Sequence, residues 1–242
     1  MSVSVAMAVC NGEAYLAAQI RSILPQLSAQ DELIVSVDPS TDRTREVLDS
    51  FQDQIQVFEG PGKGVTANFA NALSHCHNAV IFLCDQDDLW MPDKVKKVTA
   101  AFVPGVTVVM HDAKIIDADR KEIAPSFFAE RHVKHGIYQN MMKNSYIGCC
   151  MAFRKELLDV ILPFPKELPM HDQYIGIVGE MMGTSIFLPE PLLLYRRHGQ
   201  NASAMHHADV KQMLIWRKQI YKAVKAAKKK VKQNDFSRNG RL

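Results

Sequence analysis

Along the first 110 residues, apolar runs of strand length alternate with stretches whose apolar positions recur every three or four residues. Residues 2–9, SVSVAMAV, predict a strand, and residues 14–24 a helix ended by Pro25. Residues 32–37 predict a second strand, and residues 42–51 a helix with Ser40 or Thr41 as its cap. A short strand at 55–58 is followed by a helix at 65–74, entered through the loop GPGKG at 60–64. Residues 79–84 predict the next strand, residues 92–102 a helix with Pro92 near its first turn, and residues 106–111 a further strand. Alternation with short connections predicts βαβ units, hence an α/β fold with a Rossmann-like, mostly parallel sheet covered by helices.

The pattern weakens from residue 114 to 145, where aromatics interrupt loops and a short helix. Beyond it, residues 147–153 predict a strand, 155–161 a helix and 173–182 a helix introduced by LPMHD. Residues 184–188 and 192–196 predict two short strands, and a long helix runs from about 206 to 232. The last ten residues are polar and read as a frayed end. This predicts a domain over residues 1–204, whose pattern changes near 113, with a basic helical tail at 205–242.

Composition narrows the class. With 47% hydrophobic and 23% charged residues in 242, the chain has the balance of a soluble globular protein. A net charge of +3 excludes a molecule that binds nucleic acid by bulk charge. The five cysteines form no C-x-x-C pair and read as reduced thiols of a cytosolic protein. No basic leader precedes the first apolar run, and no run reaches the roughly 20 residues that cross a bilayer. The expected location is cytoplasmic, at most peripheral on the inner face of the cell membrane.

Candidate chemistry lies where strands end. In an open parallel sheet, ligands bind outside the carboxyl ends of the strands. The first strand ends in Val9 and runs into Cys10-Asn11-Gly12-Glu13, the second into Asp38-Pro39-Ser40-Thr41-Asp42, and the fourth into Asp85-Gln86-Asp87-Asp88. The 60–64 loop adds helix N-terminal amides that attract anions. Carboxylates gathered at such an edge suit a hard divalent cation, Mn²⁺ or Mg²⁺, shared with a diphosphate. The competing reading is turn chemistry, with Asp87 or Asp88 capping the Pro92 helix.

Six segments in order carry a resemblance: MAVCNGEAYLAAQIRSIL, VDPSTDRT, FLCDQDDLWMPDK, GCCMAFRKEL, MHDQYIG and YRRHGQNAS. Together they resemble the inverting nucleotide-sugar glycosyltransferases of family 2, with the GT-A fold, of the bacterial surface-polysaccharide type. The resemblance implies that Asp38 contacts the nucleotide and that Asp85 and Asp87 form the D-x-D pair, with Asp87 the direct metal ligand. It implies Asp172 as catalytic base and His198 beside the metal and diphosphate. Lys63 and Asn68 stand where donor contacts are common, and Val9, Asn11, Glu13 and Gln86 complete the donor-binding set. Cys10, Val37 and Pro39 depart from the family's pattern, which leaves the nucleobase open; a UDP- or dTDP-sugar is the expected donor. The Q-x-x-R-W signature of processive synthases is missing, which favours addition of one sugar to a glycan or lipid-linked saccharide.

Two other classes remain open at this point. A sugar nucleotidyltransferase would carry a basic glycine-rich loop after the first strand, where CNGEAYL has no Lys or Arg. A non-catalytic carbohydrate-binding subunit would not need Asp87 and Asp172 together. Asp172 is equally placed to cap its helix, His198 to lie on the surface, and Trp90 to pack rather than stack on sugar. His111-Asp112 reads as a structural hydrogen bond at a strand end, and residues 127–146 as an acceptor wall. The tail is strongly cationic with interleaved apolar residues, which predicts a membrane-surface helix, an oligomer contact or a solvated edge.

Overall fold

A computed structural model describes residues 1–198 and 209–239. One nine-stranded sheet, flanked by helices, organises them. Its first half is β1 (Val3–Val9), α1 (Leu16–Ile23), β2 (Glu32–Val37), α2 (Thr44–Asp49), β3 (Gln56–Glu59), α3 (Val65–Ser74) and β4 (Val80–Asp85). These strands pair in parallel in the order β3-β2-β1-β4. Every residue of β1 is buried, which explains why it reads as an unbroken apolar run rather than an alternation.

The chain continues through β5 (Leu89–Trp90), α4 (Lys94–Ala100), β6 (Val106–Ile116), β7 (Glu122–Ala124), α5 (Phe127–Arg131) and α6 (Ile137–Met142). It ends with β8 (Met151–Arg154), α7 (Leu158–Ile161), α8 (His171–Met182), β9 (Thr184–Arg196) and α9 (Val210–Asn239). The full pairing order is β3-β2-β1-β4-β8-β6-β9-β5, with β7 on the remaining part of β6. β8 runs antiparallel between β4 and β6, so both halves of the chain share one sheet. β6 itself continues to residue 116, past the expected boundary near 113.

Five local expectations are corrected. Arg43, not Ser40 or Thr41, occupies the cap of α2, and the Asp42 carboxylate accepts from the Thr44 amide at 3.0 Å instead. The expected strand at 147–153 begins as a tight turn at Gly148–Cys150, so pairing starts only at Met151. The expected helix at 155–161 splits into a tight turn and the short α7. The two expected strands at 184–188 and 192–196 are one, because the Pro189-Glu190-Pro191 interruption falls where the pairing with β6 slips from Leu188 to Pro191. The long helix runs on to 239, past its expected end at 232 and through residues expected to fray, while the expected start at 206 lies outside the described residues.

The sheet must curl. β4 and β5 are separated by four steps of the pairing order, about 19 Å in a flat sheet at roughly 4.8 Å per step. The chain covers that distance between Asp85 and Leu89, a reach of about 14 Å when fully extended. Curling brings the carboxyl ends of β4 and β9 together around the acidic loop.

Candidate functional site

The acidic loop is anchored by its own side chains. Gln86 bridges to Cys10, accepting from its amide at 2.8 Å and donating to its carbonyl at 2.9 Å. Asp88 is fully buried, and its Oδ1 accepts from the Arg196 amide at 2.9 Å. It therefore does not cap α4, whose cap position is Asp93. The Arg196 guanidinium donates to the Asp87 carbonyl at 2.8 Å and to the Ala118 carbonyl at 2.9 Å, and lies 4.7 Å from the centre of the Tyr15 ring. These contacts deliver His198 to the loop: its Nε2 is 2.7 Å from Asp87 Oδ2, and its ring lies 4.8 Å from that of Tyr15. A pocket of about 330 Å³ opens beside them, lined by Cys10, Asn11, Ala14, Tyr15, Gln86 and His198.

A second part of the site lies beneath. Donor atoms of Asp85, Asp88 and Cys149 all fall within 4.8 Å of one another. Burial raises Asp85 to about 7, helped by the like charges of Asp87 and Asp172. Burial and the same crowding push Asp88 well above the carboxylate range. The Cys149 thiol stands beside both carboxylates and is itself held far above its usual range by burial. Lys94 is the buried countercharge: its ammonium donates to the Cys149 carbonyl at 2.8 Å and sits 4.1 Å from the centre of the Trp90 ring. Trp90 thus packs, as expected, and in doing so shields a lysine.

These residues fit a divalent cation. Asp88 Oδ2 is buried with no hydrogen-bond partner, a costly state that a ligand would relieve. The donors are hard carboxylate oxygens, and a thiol kept protonated disfavours a soft, thiolate-seeking metal. Asp85 and Asp88 are the carboxylates of this cluster able to hold it, whereas Asp87, the ligand expected from the resemblance, stands outside the cluster with its Oδ2 against His198. Asp88, Cys149, Lys94 and Arg196 were absent from the sequence-derived set; the signal that Asp88 differs from its neighbours lies in Arg196, far along the chain.

Asp172 is the second residue of α8, not its cap, which is Met170. Its Oδ1 accepts from the Gln173 amide at 2.6 Å and from Asn144 Nδ2 at 3.4 Å. Burial raises it to about 6 against these hydrogen bonds. The charge of Asp172 contributes to the shift of Asp85, so residues from β4 and α8 share one electrostatic environment. The neighbouring His171 stacks on Phe69 at 4.4 Å, and burial lowers it to about 4.

The donor-side candidates divide into two groups. Asp38 is buried at the end of β2, and its Oδ1 accepts from the Gly62 amide at 2.8 Å. Gly60 permits this approach, since a Cβ there would stand 2.3 Å from Asp38 Oδ1. Asn11 adopts a left-handed backbone with φ 50° and accepts from the Thr41 amide at 2.8 Å. Lys63 is exposed on the neighbouring loop. By contrast, Glu13 is paired with Arg43, its Oε1 accepting from the guanidinium at 2.7 Å. Asn68, expected to touch the donor, is buried and spends its amide on Ser36 at 2.5 Å and the Val9 carbonyl at 3.0 Å. It fixes the end of β1, and Val9 enters through its backbone.

Among other expectations, His111 Nδ1 lies 2.7 Å from the Asp112 carbonyl, and Asp112 accepts from the Phe128 amide at 2.9 Å, holding the start of α5. His75 stacks on Phe58 at 3.6 Å, and His77 faces Glu32 at 3.3 Å.

A family model described as glycosyl transferase family 2 matches residues 4–162. An uncharacterized glycosyltransferase, alr2836 of Nostoc, is 28% identical over 217 residues, covering 83% of this chain and 66% of that protein. The Escherichia coli WfgD, a UDP-Glc:alpha-D-GlcNAc-diphosphoundecaprenol beta-1,3-glucosyltransferase, is 29% identical over 181 residues, covering 72% of this chain and 68% of WfgD. The chain thus spans about two thirds of the length of these relatives. The mannosyltransferase PcManGT of Pyrobaculum calidifontis, solved with GDP-Man and Mn²⁺, superposes with a TM-score of 0.62 at 18% identity, covering 82% of this chain and 57% of that one. That likeness shows the GT-A fold.

Proposed function

The chain belongs to glycosyl transferase family 2, and from that premise we propose that it moves a single sugar from a nucleoside-diphosphate sugar to an acceptor hydroxyl, with inversion at the anomeric carbon. The acceptor class is a glycan or lipid-linked saccharide, in the building of a bacterial cell-surface polysaccharide such as a capsule, exopolysaccharide or O-antigen. The observation that carries this reading is convergence. It is supported by His198 Nε2 lying 2.7 Å from Asp87 Oδ2, by the charge of Asp172 acting on Asp85, and by Asp38 following β2, which like β4 runs parallel to β1, on the same carboxyl edge of the sheet.

The assigned roles follow from position. Asp38 and the loop after β1 hold the nucleoside, with Asn11 and Gln86 lining the pocket and Lys63 available to the phosphates. Bound Mn²⁺ or Mg²⁺ would neutralise charge developing on the departing diphosphate. Asp85, Asp87, Asp88 and His198 are the residues to hold it. Asp172 accepts the proton of the attacking hydroxyl, on the face opposite the leaving group. A carboxylate raised to about 6 is mostly ionised at neutral pH yet more basic than an ordinary one, and such a base contributes about 10²–10⁴-fold. Asn144 and the Gln173 amide fix its orientation.

The test is a panel of nucleotide sugars assayed for metal-dependent release of nucleoside diphosphate, first with water and then with a saccharide acceptor. Asp87→Ala should abolish release with every donor. Asp172→Asn should keep donor binding and lose transfer. Transfer at the unaltered rate in Asp172→Asn would overturn the base assignment, and turnover that survives chelation would overturn the metal.

A further inference from the structure

Six of the ten large apolar side chains exposed among the described residues lie on two touching helices: Tyr138 and Met142 of α6, and Leu214, Ile215, Trp216 and Tyr221 of α9. Tyr138 is 73% exposed and Leu214 57% exposed. Side chains scattered singly need no explanation, but a contiguous patch marks a contact surface. The two helices are joined at the patch, where Arg217 Nε donates to the Met142 carbonyl at 3.2 Å.

The charge around the patch has one sign. Neither residues 131–155 nor residues 211–233 contain an Asp or Glu. α9 buries Ile220, Ala223, Val224 and Ala227 against the domain, and Lys230 clamps that inner side by donating to the Val160 and Leu162 carbonyls at 3.0 and 3.1 Å. The opposite face carries Lys211, Lys218, Lys222, Lys225, Lys229 and Lys232, all exposed. Their spacing keeps them on one side of the helix across six turns, a stripe of about 30 Å. Of the α8 acids, Glu180 accepts from the Tyr146 hydroxyl at 2.5 Å and Asp172 from Asn144 at 3.4 Å.

We infer that α6 and the outer face of α9 form a docking surface for an anionic lipid bilayer, with lysines on the headgroups and Leu214, Ile215 and Tyr221 at the interface. Charge complementarity selects this occupant. A wholly cationic stripe would repel its copy in a symmetric dimer, whereas each cation near an anionic surface adds to binding, and apolar residues beside them add burial. The face lies close to the proposed base: Met142 is two residues from Asn144, which hydrogen-bonds Asp172. A docked molecule would thus present its acceptor side to saccharides carried on a lipid. This extends the proposed function, because it identifies the acceptor's carrier as membrane-bound.

The test is sedimentation with vesicles of phosphatidylcholine alone or mixed with phosphatidylglycerol. The protein should bind the mixed vesicles, ignore the neutral ones, and dissociate as salt rises. The triple variant Lys218→Glu/Lys222→Glu/Lys225→Glu should lower the partition constant by about a hundredfold. Leu214→Ser/Ile215→Ser should weaken the binding that survives added salt. Equal binding to neutral vesicles, no binding to anionic ones, or unaltered partition of the triple variant would each overturn the inference. So would a vesicle-free dimer that the Leu214→Ser/Ile215→Ser variant converts to a monomer. Donor hydrolysis measured without vesicles separates the two ideas: turnover retained in a triple variant that no longer binds supports the surface role, while vesicle binding without turnover of any donor sinks the transferase reading alone.

Discussion

Replacing Asp85 with asparagine should stabilise the metal-free protein at neutral pH while destroying its affinity for metal. The folded protein holds a proton on Asp85 up to about 7, against an ordinary value of 3.8. A group that binds its proton more tightly when folded favours the fold at low pH and opposes it once ionised. The term is therefore harmless below about pH 4, grows as pH rises through 7, and levels off above. Roughly three pK units correspond to about 4 kcal/mol. Asparagine keeps the shape and removes the charge, so this figure is the ceiling of the gain. Losing the contact with the Cys149 thiol reduces it by about 1 kcal/mol. At about 2–4 °C per kcal/mol for a domain of this size, the melting temperature in chelator should rise by about 5–15 °C. Urea denaturation of both proteins at about pH 5 and about pH 8 is the decisive measurement, since the difference between them should grow with pH along the Asp85 titration. Mn²⁺ should then stabilise the parent, by about 3 kcal/mol at a hundredfold excess over its dissociation constant, and leave the variant unmoved. A variant no more stable than the parent at about pH 8, or a gain independent of pH, would refute the electrostatic account.

Three further outcomes are expected. With saturating donor and metal, transfer should fall as pH drops through about 6, where Asp172 takes up a proton, and the same limb should be absent from donor hydrolysis if water attacks without that base. Gly60→Ala forces a methyl to within 2.3 Å of Asp38 Oδ1, so the Michaelis constant for donor should rise at least tenfold with a smaller change in turnover. Lys94→Met leaves the buried Cys149 carbonyl without its donor; an unsatisfied buried acceptor costs about 1–3 kcal/mol, readable by urea denaturation.

The elements that were legible in the sequence are those whose pattern is local. β1, β2 and β4 are mostly apolar runs because both faces of the sheet are covered there, and α3 matches its expected limits at Val65 and Ser74. β5 has two residues and exists only because Leu193 and Leu194 of β9 lie beside it. β7 has three and exists because β6 overruns its expected end. Neither leaves a periodicity to read. The site shows the same division. Asp38 and Asp87 stand out as acids at strand ends, whereas Asp172 and His198 are singled out only by the family resemblance. Asp85, Asp87 and Asp88 are chemically alike in the sequence, and what singles out Asp88 is the Arg196 amide, 108 positions away. Lys94 reads as one more cation on a helix until Trp90 and Cys149 are folded over it. Pro189 and Pro191 look like the end of a strand, and only the slip in pairing with β6 lets the strand pass through them.

The latch between Arg196 and the acidic loop also has a bearing on how the protein comes into being. On the ribosome, the carboxylates of β4 emerge more than a hundred residues before the strand that seats them. Until β9 arrives, the loop has no edge to join and Asp88 stays in water, so a half-made chain offers cations only a loose acidic turn. A cation held by these carboxylates would thus find its site only in the finished sheet, as a seal set last on a ring already closed.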